Sequence, residues 1–167
     1  MLKTHLPYLF LLLGVFLLFV VLLPKALDTV GQDHLLAFYS QAVEQAGALA
    51  LDSPAQTPGI LERDPDGYTG SYQASLSDYT GKLTLFGGTS IEPEALYLWG
   101  QIQGQAGTAQ LRYQIGSGDP EALLSGSGEY EGPLEAPAGS CYLTLDLQDF
   151  SGDISITVQP LEECAIM

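Results

Sequence analysis

Leu6 to Leu23, LPYLFLLLGVFLLFVVLL, carries no charge and has only Pro7 and Gly14 to weaken a helix. Such a run cannot stay in water without exposing a large apolar surface, so it decides where the chain sits. As a helix its eighteen residues span about 27 Å at about 1.5 Å per residue, close to the roughly 30 Å hydrocarbon core of a bilayer. A cleaved signal peptide has a shorter apolar region and a small-x-small exit. Here the exit reads Val21-Leu22-Leu23-Pro24-Lys25-Ala26, with Pro24 at a recognition position and no cysteine nearby. The sequence therefore predicts an uncleaved transmembrane signal anchor over residues 1–25, in contact with the membrane through residues 6–23. Lys3 and His5 precede the span, and Asp28 and Asp33 follow Lys25. The positive-inside bias then places the C-terminal bulk outside the cytoplasm.

Residues 26–51, ALDTVGQDHLLAFYSQAVEQAGALAL, form the next segment. Leu36, Tyr39, Val43, Ala46 and Ala50 recur at helical spacing, and Leu35, Phe38, Ala42 and Leu49 widen the same face. This predicts an amphipathic helical stalk from about Asp33 to Leu51, ended by Pro54 and Pro58. Its polar side carries no Lys or Arg, unlike helices that lie on membrane surfaces. The expected occupant of its apolar stripe is protein: a partner, or a second copy of the chain.

Beyond a Pro-rich linker, residues 52–67, the period changes to two. Tyr72, Ala74 and Leu76 alternate with polar residues; so do Leu96, Leu98 and Ile102, and then Ala109, Leu111, Tyr113 and Ile115. Cys141, Leu143, Leu145 and Leu147 form another set, and Ile154, Ile156 and Val158 the last. Shorter patterns lie at Leu83–Leu85 and Glu129–Leu134. About seven strands separated by Gly, Asp, Ser and Pro, each with one apolar face, predict an antiparallel β-sandwich over residues 68–167. Both jelly-roll and immunoglobulin-like topologies fit, although Trp99 precedes both cysteines, against the immunoglobulin order. A hairpin across Gln148–Asp153 would set Leu147 opposite Ile154, Leu145 opposite Ile156, Leu143 opposite Val158 and Cys141 opposite Pro160. Cys164 then lies close enough in sequence to return to Cys141. Such a disulfide, closing a loop of about 24 residues, would contribute roughly 3 kcal/mol in the chain-entropy view.

All 20 carboxylates follow the anchor, against Arg63, Lys82 and Arg112. Such a surface repels nucleic acid, and no nucleic-acid partner is expected. The two histidines are His5 and His34, so the outer domain lacks the base that a serine nucleophile wants. The cysteines lack the C-x-x-C of redox proteins. No enzyme is expected. Two clusters remain as candidate sites. Asp64-Pro65-Asp66-Gly67 offers oxygen ligands at alternate positions before a glycine, as Ca²⁺ loops do. The same tetrapeptide is ordinary turn chemistry, and Tyr68 stands where a third ligand is usual. No other cofactor is expected. Tyr97, Trp99 and Gln101 fall on the polar side of their strand, where aromatics beside amides can make a carbohydrate- or ligand-binding face; the alternative is that linker or stalk covers them.

Taken together, these features predict a single-pass, cell-surface, non-catalytic β-sandwich that acts in binding or as a subunit of a cell-envelope complex. The alternative is a structural filament subunit. A long N-terminal helix, a β-rich head and a late cysteine pair resemble the plan of type IV pilins. The resemblance is architectural and covers no motif: the glycine available to end a leader is Gly14, and Phe19 stands where those pilins have Glu.

Overall fold

The computed structural model describes residues 32–161, with side chains from residue 37 onward. The expected anchor at 1–25 and Cys164 lie outside the described residues. Among the described residues no helix is long and apolar enough to cross a membrane. Helix α1 runs Gln32–Ala48, and the chain divides into two compact units between Gln41 and Ala42. The second unit contains all of the sheet.

Six strands follow: β1 (Ile60–Arg63), β2 (Gly70–Ser90), β3 (Glu94–Ile115), β4 (Glu121–Ser125), β5 (Gly128–Ala136) and β6 (Gly139–Pro160). Every pairing is antiparallel. β1 lies within the stretch expected as linker, and β4 was not foreseen. Strand β6 is central and pairs along its whole length with β2 on one side and β3 on the other.

The expected hairpin across Gln148–Asp153 does not form; residues 139–160 are one strand. Leu147 lies opposite Gly81 and Ala109, and Ile154 opposite Ala74 and Ile102. Cys141 pairs with Gly88 and Ile115, whereas Pro160 pairs with Leu96. The same correction applies to 72–76 with 83–85 and to 96–102 with 109–115, which are the two halves of β2 and of β3. The Gly, Asp and Ser punctuation marks corners, not reversals.

At each corner the inward set changes parity. In β2 it passes from Tyr72 and Ala74 to Leu83 and Leu85; in β3 from Leu96, Leu98 and Ile102 to Ala109, Leu111 and Tyr113. In β6 it passes from Cys141, Leu143, Leu145 and Leu147 to Phe150, Ile154, Ile156 and Val158. An extra residue in a strand produces that switch, bends it and increases its twist. Each corner holds one residue in the left-handed conformation: Asp78 at φ 52°, Gly107 at φ 73° and Asp149 at φ 49°. Asp is among the few side chains that visit this conformation, and both aspartates are tied to the neighbouring strand, Asp78 through its N–H to the Ser151 hydroxyl at 2.9 Å. Asp149 accepts from the Thr80 hydroxyl at 2.8 Å while its own N–H donates to that hydroxyl at 2.8 Å. At Gly107 a Cβ would lie 2.2 Å from the Asp149 carbonyl oxygen, so only glycine fits.

Bending at these corners folds one sheet into two layers, as strands do when they pass between the sheets of a sandwich. The first layer has the order β1-β2-β6-β3-β5 and the second β2-β6-β3-β4. One apolar cluster fills the space between them, including Leu85, Leu111 and Leu145 from the second layer with Tyr72, Leu98 and Ile156 from the first. The Tyr113 hydroxyl donates across the gap to the Glu135 carbonyl at 2.9 Å. Phe150 is buried at the fold line between layers.

Candidate functional site

The outer face of the first layer follows from the alternation. Because Leu96, Leu98 and Ile102 point into the core, Tyr97, Trp99 and Gln101 point out, each half-buried. The register gives each a fixed pair of neighbours. Tyr97 lies between Gln159 of β6 and Pro133 of β5, Trp99 between Thr157 and Glu131, and Gln101 between Ser155 and Glu129. Across β6, Ser71 and Gln73 of β2 continue the rows, with Glu62 and Ile60 of β1 at the far edge. The structure therefore brings the three expected residues together in one line along β3.

Polar groups on this face bond side to side. The Tyr97 hydroxyl donates to Glu131 Oε1 at 2.7 Å, and Gln101 Nε2 donates to Glu129 Oε1 at 2.6 Å. A carboxylate has room for several donors, so both acids keep acceptor capacity. Next along β3, a cleft of about 540 Å³ opens against the corner, lined by Gln101, Gln103, Gln105, Ser127, Glu129 and Asp153 among others. The Ser127 hydroxyl accepts from the Gly104 N–H at 2.9 Å and so fixes the rim. The Gln-x-Gln-x-Gln spacing after Trp99 was available in the sequence as a signal. Ser127 and Asp153 gave none, since they arrive from the β4–β5 turn and from β6.

Asp64 and Asp66 are exposed and act in the turn between β1 and β2. Asp66 Oδ1 accepts from the N–H groups of Tyr68 at 2.8 Å and Thr69 at 3.1 Å. The buried Thr69 hydroxyl lies 2.8 Å from Asp64 Oδ2 and 2.9 Å from Asp66 Oδ2. This is side-chain capping of a tight turn. Among the described residues no group of three or more His, Cys, Asp or Glu side chains is placed to hold a metal.

Cys141 is buried, and no disulfide forms among the described residues. Burial, the largest influence on it, pushes its thiol pKa up. A void of about 10 Å³ beside it is lined by Tyr68, Phe86, Tyr113 and Leu143 among others, enough for about one water at most. A raised, buried thiol is the opposite of a reactive one.

The fold and this face define an antiparallel β-sandwich-like domain that presents a polar, aromatic-centred surface. No protein-family model matches the chain, and no curated protein does. Among solved structures, the chain is similar to the pre-peptidase C-terminal domain of a collagenase from Bacillus anthracis. The identity is 17% and the TM-score 0.41, with 62% of this chain and 99% of that domain covered. At that level of likeness the neighbour's activity says nothing about this chain.

Proposed function

We propose that the protein is a single-pass, membrane-anchored, extracytoplasmic β-sandwich that works without catalysis, holding a ligand on the outer face of its first layer. One observation carries this reading. Tyr97 and Trp99 stand partly exposed in a row with Gln101, on a face whose carboxylates are already oriented by hydrogen bonds. Aromatics are costly to leave at a surface, and grouped ones mark contact sites. The apolar run at 6–23 supports the anchor, and the acidic surface supports a partner other than nucleic acid. The lack of any histidine after His34 supports a non-catalytic role.

Hydroxyl-radical footprinting tests the face without knowing the ligand. In membranes of the cells that make the protein, Tyr97 and Trp99 are expected to be protected relative to the purified full chain. Equal labelling in both preparations sinks the reading.

A second reading, assembly through the stalk into a larger complex or filament, draws support from exposed apolar residues. Phe38 is 71% exposed, Tyr39 59% and Leu49 87%. Phe38→Glu would disperse such assemblies in electron micrographs, and unchanged assemblies would remove this reading.

A further inference from the structure

Building on the face proposed above, we infer that its ligand is a neutral, hydroxyl-rich glycan chain lying along β3, from Tyr97 over Trp99 into the cleft beside Gln103 and Gln105. Alternate residues of a strand are about 6.6 Å apart, so Tyr97, Trp99, Gln101 and Gln103 form a row about 20 Å long. That suits an extended chain better than a single small molecule.

The lining chemistry selects the class. The cleft is of ordinary ligand-site size, yet ligand sites are mostly apolar and this one is not. Three amides, two carboxylates and a hydroxyl line it, and its apolar member, Ile102, is buried in the core. A ligand that displaces water here must meet the amides of Gln103 and Gln105 and the remaining donor and acceptor capacity of the groups already bonded to one another, because buried polar capacity left unmet costs free energy. A polyol carries donors and acceptors at that density. Trp99 and Tyr97 supply a flat surface on which the C–H face of a sugar ring can stack, while amides and carboxylates beside them bond its hydroxyls. An extended peptide would instead pair with a strand edge, where main-chain groups are free.

Charge settles the sign. Glu129, Glu131 and Asp153 surround the row. The Lys and Arg side chains among the described residues lie elsewhere. Arg63 is bound to the carbonyls of Leu85 at 2.8 Å and Asp52 at 3.1 Å. Lys82 and Arg112 flank Asp146 on the second layer. Sulfated, phosphorylated or uronic chains would meet carboxylates with no counter-charge. The carboxylates are pre-positioned by Tyr97, Gln101 and, for Asp153, the Ser75 hydroxyl, which lowers the ordering cost of binding.

The test uses the full chain in a detergent without sugar headgroups. Probes are the neutral glycans dextran, mannan and laminarin and the anionic glycans polygalacturonate and heparin. The expected result is binding of at least one neutral probe. Trp99→Ala should weaken it by about tenfold, the scale of a lost aromatic contact. Gln103→Ala, at an exposed position, should weaken it by roughly threefold, the scale of one hydrogen bond. Lys82→Ala should leave it unchanged. Preferential binding of the anionic probes overturns the inference, and so does neutral binding indifferent to both Trp99→Ala and Gln103→Ala. If no neutral probe binds while native membranes still protect Tyr97 and Trp99 from radicals, the glycan class is wrong and the face stands. If that protection is absent as well, both fall.

Discussion

The two outer faces of the sandwich are made from the same three strands, yet they are used differently. On the second layer, Lys82 and Arg112 flank Asp146, with Arg112 Nη1 3.2 Å from Asp146 Oδ2. That layer is also met by the chain's own preceding segment. The Tyr142 hydroxyl donates to the Gly47 carbonyl at 3.3 Å. Asp52 donates its N–H to the Thr84 carbonyl at 3.1 Å and accepts the Thr84 N–H with its side chain. On the first layer, the Tyr97 hydroxyl and the Gln101 amide donate to the carboxylates of Glu131 and Glu129 on the neighbouring strand. Polar groups that reach for main chain hold their own segment in place. Polar groups that pair along the surface stay oriented and leave the face available to something else.

The difference between the two faces depends first on the corners, which give both layers their outward sets. Gly107→Val places a β-branched residue at φ 73° against the Asp149 carbonyl. It is expected to cost more than about 3 kcal/mol, the range of backbone strain combined with a core disturbance. Urea denaturation measures this, and a near-native midpoint would show that the corner can relax. Next, Asp52→Ala strips the side-chain acceptor from the Thr84 N–H. A loss of about 1–2 kcal/mol is expected, with radical labelling of Tyr97 and Trp99 unchanged. Altered labelling would mean that the two faces are coupled.

Tyr72 probes the first layer from inside. Its hydroxyl donates to the Pro58 carbonyl at 2.9 Å, and burial pushes its pKa up from 10.0 to about 12, with Tyr79 adding to the effect. Because the folded value is raised, its contribution is fully present below pH 10 and disappears as pH climbs through about 12. Burial raises Tyr68 and Tyr113 in the same direction. Stability should therefore fall steeply in that alkaline window. Tyr72→Phe should lose about 1 kcal/mol at neutral pH and show a shallower alkaline fall in urea midpoints. An identical slope in the variant contradicts the assignment. Smallest is the effect of Trp99→Ala on stability, about 1 kcal/mol or less, as for an exposed cross-strand contact. A larger loss would recast Trp99 as a packing residue and blur the contrast between the faces.

Much of this was legible in the sequence, and the failures have a physical cause. Alternation told which side chains face inward in each half-strand, apart from Ile115, which is exposed at the end of β3, and so placed Tyr97, Trp99 and Gln101 outward. It also put Cys141 inward. The corners were misread because a left-handed Asp or Gly serves a bulge as readily as a turn. Gln148-Asp149-Phe150-Ser151-Gly152-Asp153 has the composition of a loop, but buried Phe150 shows that the chain never leaves the core there. Strand β4 spans only Glu121–Ser125, too short to show a period. The cleft was hidden because β3, β6 and the β4–β5 turn together build it.

The three bent strands have one more consequence. Each belongs to both layers, so neither layer owns a strand that could peel away while the other persists. Fraying at Leu145 would release the same ladder that holds Ile156. The domain should therefore open as one cooperative unit, with amides in both layers exchanging hydrogen at a common, globally limited rate. The sandwich is thus shut or undone as a whole.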